Sequence, residues 1–105
     1  MINNTQSVPL KDTLIWIDME MTGLDITKDQ TIEIAVVVTD GSLETVIQGP
    51  EIIIHCEDSI LNAMDEWCTN THGKSGLTDK VRASTVTLAQ AEEQVLTFLK
   101  DTCGL

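Results

Sequence analysis

Leu14-Ile15-Trp16-Ile17-Asp18-Met19-Glu20-Met21 decides the reading of this chain. A short apolar run, bounded by polar residues, closes on an Asp-x-Glu triplet. Its composition and length predict a strand over Thr13–Met21. Apolar on both faces, that strand reads as buried on both sides rather than half-wet. Side chains alternate along a strand, so Asp18 and Glu20 point the same way, with attachment points about 6.6 Å apart at a rise of about 3.3 Å per residue. Two carboxylates on one face can share a pair of divalent cations spaced about 3.5–4 Å apart. Taken alone, a D-x-E triplet is as readily a solvated strand end, because perturbed acids mark functional sites only statistically.

Outward from this strand, Thr22-Gly23-Leu24-Asp25 reads as a turn, and Thr31–Thr39 is a β-branched run that predicts a second strand. Asp40-Gly41 is a hairpin signal. Leu43–Gln48 returns as a third strand; Gly49-Pro50 is expected to break it, with Glu51–His55 continuing extended. The period then changes. Ile60, Leu61, Met64 and Trp67 recur at helical spacing and predict one helix over Asp58–Cys68. His72-Gly73-Lys74-Ser75-Gly76 reads as a loop, and Thr78–Ala83 as one or two helical turns. Thr87–Lys100 is the clearest helix: Thr87 and Gln90 fit a capping box, Leu88, Ala91, Val95 and Leu99 form one stripe, and Gly104 is a stop signal. Met1–Lys11, with Pro9, reads as a loose leader to a single domain. No repeats or low-complexity segments interrupt this order.

The 105 residues suffice for one domain with a modest core, and one Phe, two Trp and no Tyr leave that core to Ile, Leu, Val and Ala. A formal charge of −11 with only six Lys and Arg argues against a long, sequence-blind grip on duplex nucleic acid. It leaves room for a short anionic substrate, because bound divalent cations can reverse the sign of a local site. Cys56, Cys68 and Cys103 contain no C-x-x-C pair, which removes zinc and thioredoxin-type readings and points to a reducing compartment. No apolar stretch is long enough to span a bilayer. A cytosolic home is the default, with a mitochondrial one open.

The stretch Ile15-Trp16-Ile17-Asp18-Met19-Glu20-Met21-Thr22-Gly23-Leu24-Asp25 resembles the first exonuclease motif of the oligoribonucleases, including the eukaryotic small fragment nucleases. These are DEDDh 3′-to-5′ exonucleases on an α/β, ribonuclease H-like (DnaQ-like) fold. Ile32-Glu33-Ile34-Ala35, Trp67-Cys68, His72-Gly73-Lys74-Ser75-Gly76-Leu77 and the helix from Thr87 extend the resemblance from about Leu14 to Lys100. It implies that Asp18 and Glu20 are catalytic acids holding two Mg²⁺ or Mn²⁺ ions. It also implies that Leu24 wedges beside a terminal base, that Trp67 stacks on a base, and that His72 contacts substrate. The implied partner is a short single-stranded RNA, dinucleotides especially, cut to mononucleotides, and the family is commonly homodimeric. Without the resemblance, Trp67 at helical spacing with Leu61 and Met64 reads as core, Leu24 as a turn anchor and His72 as an ordinary loop residue. His55 reads as a strand end, and the Asp65-Glu66 and Glu92-Glu93 pairs as solvated helix faces.

The resemblance also implies a third metal-binding Asp, and a His and fourth Asp five residues apart, all on later elements. None has a counterpart here: Asp101 falls too early, and no His-x-x-x-x-Asp pattern occurs. The expected general base is therefore missing, a contribution typically worth about 10²–10⁴ in rate. The chain reads as the N-terminal part of a larger enzyme, nearly or fully inactive alone, with Leu14–Met19 left as an exposed apolar edge. Two other classes compete. One is a non-catalytic protein that binds nucleotides weakly or docks on a full-length partner. The other is an unrelated acidic interaction domain.

Overall fold

The computed structural model describes residues 10–104; the leader expected over Met1–Lys11 lies almost wholly outside them. The element order is β1 (Leu14–Met21), β2 (Thr31–Thr39), β3 (Val46–Ile53), α1 (Asp58–Leu61), α2 (Glu66–Ser75), α3 (Leu77–Ala83) and α4 (Leu88–Cys103). The strands form one antiparallel sheet in the order β1-β2-β3, so the expected three-stranded meander followed by helices is present.

Two apolar clusters hold it together. α4 packs on the sheet face carrying Ile34, Val36 and Ile52, where Ala91 and Val95 bury with Phe98 and Leu99 beside them. Leu88, expected on the same stripe, is half exposed instead, at the first residue of the helix. The capping box forms as read: the Gln90 amide donates to Thr87 Oγ1 and the Thr87 amide to Gln90 Oε1. The helix runs on to Cys103, where Gly104 in the left-handed region (φ 72°) ends it. The second cluster, Ile32, Cys56, Leu61, Leu77 and Val81, joins the short helices to the start of β2 and the end of β3.

Three sequence expectations fail locally. Gly49-Pro50 does not break β3. Gln48 pairs with Val37 and Glu51 with Ala35, so Gly49 and Pro50 together oppose Val36 in a bulge. A bulge on an edge strand is where proline's missing N–H costs least. The single helix expected over Asp58–Cys68 is two. Asp65 interrupts it as an N-cap, its Oδ1 accepting from the Cys68 amide at 2.7 Å, and α2 then runs through the segment read as a loop. Gly73 lies inside α2, and Gly76 (φ 82°) ends it.

Finally, β1 is not buried on both sides. Among the described residues no strand pairs with its outer edge. Leu14, Ile15, Trp16, Ile17 and Met19 are 42–51% exposed, so the expected exposed apolar edge is present.

Candidate active site

β1 and β2 are in register from Leu14↔Thr39 to Glu20↔Glu33. Residues directly opposite share a face, so Asp18 and Glu20 lie on the face that also carries Ala35 and Glu33, and across β2 the pairing adds Glu51 opposite Ala35. This face is opposite to the one covered by α4. The shared orientation of Asp18 and Glu20 thus holds, on a strand fixed by its ladder to β2. Asp18 is exposed and Glu20 half-buried. Higher on the same face, Trp16 Nε1 donates to Thr39 Oγ1 at 3.0 Å, which ties β1 to the end of β2.

The electrostatic cost of this face is written on Glu33. Burial pushes its carboxyl above the ordinary value of 4.5, and the negative charges of Glu51, Glu20 and Asp18 push it the same way, against the pull of Lys80. A cation placed on this face relieves that repulsion.

A register irregularity at Glu20/Met21 ends the ladder, and the chain turns out through Thr22-Gly23-Leu24-Asp25. Leu24 is 89% exposed and Ile26 97%, the two most exposed large apolar side chains of the described residues. Leu24 is therefore no turn anchor packed into the core.

α2 is fastened to this same end of β1. His72 is only 3% exposed, and its Nε2–H donates to the Met21 carbonyl at 2.9 Å. Five residues on an α-helix rotate about 140° at 3.6 residues per turn, so Trp67 points away from the side that carries His72. It is 68% exposed. The core reading of Trp67 therefore fails: Leu61 and Met64 belong to the apolar cluster, but the helix break at Asp65 takes Trp67 out of their stripe. His72 in turn is an interior tether of α2 rather than a loop residue. The structure thus gathers Asp18, Glu20, Leu24 and His72 at one end of β1 and presents Trp67 on the helix anchored there.

What the sequence did not signal is Asp29. Its carboxylate accepts from Thr22 Oγ1 and from the Asp25 amide, both at 2.9 Å. The pairs are seven and four residues apart in a segment without periodicity.

The donor set suits a hard divalent cation in kind: carboxylate oxygens are the ligands of Mg²⁺ and Mn²⁺. In number it is partial, since no group of three or more His, Cys, Asp and Glu converges among the described residues. Mg²⁺ is commonly bound by one or two carboxylates, with water and substrate phosphate completing the shell, so two co-facial acids fit that role. The three thiols take no part. Burial raises the thiol of each, with Glu57 adding to Cys56 and Asp65 to Cys68.

Comparison with known proteins identifies the family of the chain. A family model described as Exonuclease (RNase_T) matches residues 15–103. The oligoribonuclease of Halorhodospira halophila is 64% identical over 87 residues, covering 83% of this chain and 48% of that protein. Those of Azoarcus sp. (strain BH72) and Marinobacter nauticus are each 57% identical over 88 residues, 84% of this chain and 48% and 49% of theirs. The chain spans about half the length of the curated relatives it matches. With matches of this extent, this α/β chain belongs to the RNase_T exonuclease family and is similar to the oligoribonucleases within it.

Proposed function

We propose that the protein is a 3′-to-5′ exoribonuclease that degrades very short RNA, dinucleotides above all, by hydrolysis assisted by Mg²⁺ or Mn²⁺. The observation that carries this reading is the co-facial pair Asp18 and Glu20 on β1, inside the matched exonuclease region and one turn ahead of the projecting Leu24. A divalent cation there supplies Lewis-acid polarisation of a phosphoryl oxygen. The chain's own residues do the rest of the positioning. Asp18 and Glu20 hold the cation on a strand whose register is fixed. Leu24 wedges against a terminal base. Trp67 offers a free aromatic face for stacking, worth about 1–3 kcal/mol per base. His72, inside the fold, serves the substrate by holding α2 to β1. The similarity to oligoribonucleases supports the substrate class.

The two acids provide no general base, and we expect the 105 residues alone to turn over little or no substrate. The complete enzyme is then a homodimer working in the cytosol or mitochondrion, where its thiols stay reduced. The competing reading is a non-catalytic chain that binds nucleotides weakly or docks on a full-length partner; the small donor set favours it.

The first of two measurements tests the catalytic reading and the second tests the place of Trp67. Release of mononucleotide from a labelled dinucleotide with Mn²⁺ should be abolished by Asp18→Ala in the full-length protein; turnover unaffected by that change removes the catalytic reading. Calorimetric titration of a dinucleotide should show about 5–150-fold weaker binding for Trp67→Ala, the equivalent of one lost stack. Equal affinities remove Trp67 from the site.

A further inference from the structure

The segment between β1 and β2 carries the two most exposed apolar side chains, Leu24 and Ile26, yet its base is tightly held. The Thr22 amide donates to the Gln30 carbonyl at 2.9 Å and the Gln30 amide returns a bond to Thr22 Oγ1 at 2.9 Å. Thr22, 1% exposed, is thus locked beneath the loop. Asp29 closes the structure from the other side. One carboxylate oxygen takes the Thr22 hydroxyl and the other takes the Asp25 amide, so a single side chain grips both ends of Thr22-Gly23-Leu24-Asp25. The Asp29 amide adds a 2.7 Å bond to the Asp25 carbonyl. Gly23 is part of the device: a Cβ there would meet the Asp29 carboxylate, with Cγ at 2.7 Å. Glycine lets the turn close over that carboxylate without displacing it. These bonds all run between residues of the segment itself, and the turn they fix is the one from which Leu24 projects.

We propose that Asp29 is the positioning residue for Leu24: by clamping Thr22 and Asp25 it fixes the turn so that Leu24 stands beside the Asp18–Glu20 face at the height of a terminal base. This rests on the reading of Leu24 given under Proposed function. Asp18 and Glu20 belong to the β1–β2 ladder and do not depend on the clamp, so losing it separates nucleotide binding from cation binding. A loop that wanders by about 1 Å can cost as much as 10²-fold in a positioned site.

The test uses the full-length protein, with the Kd of a labelled dinucleotide and the Kd of Mn²⁺ measured side by side. Asp29→Ala should weaken dinucleotide binding about 10–100-fold and leave Mn²⁺ affinity within twofold. Asp29→Asn, which keeps one acceptor oxygen, should recover part of the loss. Leu24→Ala should weaken the dinucleotide, and Asp29→Ala added to it should weaken it no further, since a residue acting only through another is non-additive with it. Additive losses in the double variant overturn the proposal while leaving the Leu24 reading intact. A Leu24→Ala variant that binds dinucleotide normally overturns both. If Asp29→Ala does not fold, Thr22→Val removes the hydroxyl partner at nearly constant volume. Unchanged dinucleotide affinity in that folded variant also overturns the proposal.

Discussion

Replacing Glu33 by Gln should stabilise the fold and weaken its hold on divalent cations at once. Glu33 lies directly opposite Glu20, which places their Cβ atoms about 4.5–5.5 Å apart. With the charges about 6 Å apart, Coulomb's law gives roughly 0.7 kcal/mol of repulsion at the dielectric of water and about 3 kcal/mol at an effective value of 20. Solvent reaches this face, so the lower end governs, in line with the roughly 0.2–1 kcal/mol typical of cross-strand pairs. Glu33→Gln should therefore raise Tm at pH 7 by about 1–6 °C for a domain of this size.

The pH dependence has a definite sign. The carboxyl of Glu33 is raised above 4.5 in the fold. The folded state thus holds its proton where the unfolded chain has lost it, and the stability this contributes is complete below about pH 4.5 and drains away as pH climbs through the raised value. Gln cannot ionise. The two proteins should be equally stable at pH 4 and diverge above it, with the variant the more stable.

A cation at Asp18 and Glu20 should respond in the opposite sense. A double charge about 8 Å from Glu33 loses roughly 0.5–1 kcal/mol of screened attraction when that charge is removed, or about two- to fivefold in affinity. Melting curves across pH 4–8 and a Mn²⁺ titration followed by the spin-resonance signal of the free ion read both effects. A variant less stable than the parent at pH 7, a gap that does not close on acidification, or Mn²⁺ affinity that rises would refute the reasoning.

Two further outcomes follow from packing and from the thiols. Gly49→Ala should destabilise the fold by about 1–3 kcal/mol, the usual cost of overpacking, because its Cβ would come within 2.6 Å of both Phe98 Cε2 and the Val36 carbonyl oxygen; denaturant melts check it. Thiol labelling at pH 8 should proceed first at Cys103, which is half-buried, and much more slowly at buried Cys56 and Cys68, all three equalising in denaturant; mass spectrometry of the labelled peptides reads the order.

The parts of this fold legible in the sequence are those specified locally. β2 needs only its β-branched run, and α4 only a cap and a stripe; β2 spans the predicted residues and α4 starts where its cap predicts. Local signals misled where partners at a distance decide. Gly49-Pro50 looks like a break until Val36 is seen opposite it, and the bulge absorbs both residues. Trp67 falls on the helical period of Leu61 and Met64, yet Asp65 starts a new helix between them. A capping Asp was there to be read, but the apolar spacing outweighed it. In the site, Asp18 and Glu20 were legible because strand alternation alone puts them on one face. The bond from His72 to Met21 crosses 51 positions, and no periodicity announces a tether of that span. Asp29 was hidden for a different reason: its grip on Thr22 and Asp25 depends on the loop's closed shape, which Gly23 permits and composition does not encode.

The most direct test of the account is an anomalous difference map from a crystal of the full-length protein soaked in Mn²⁺ together with a dinucleotide. The account predicts a manganese peak ligated by carboxylate oxygens of both Asp18 and Glu20, with the nucleotide phosphate beside it. Manganese bound elsewhere while both carboxylates remain free would contradict it.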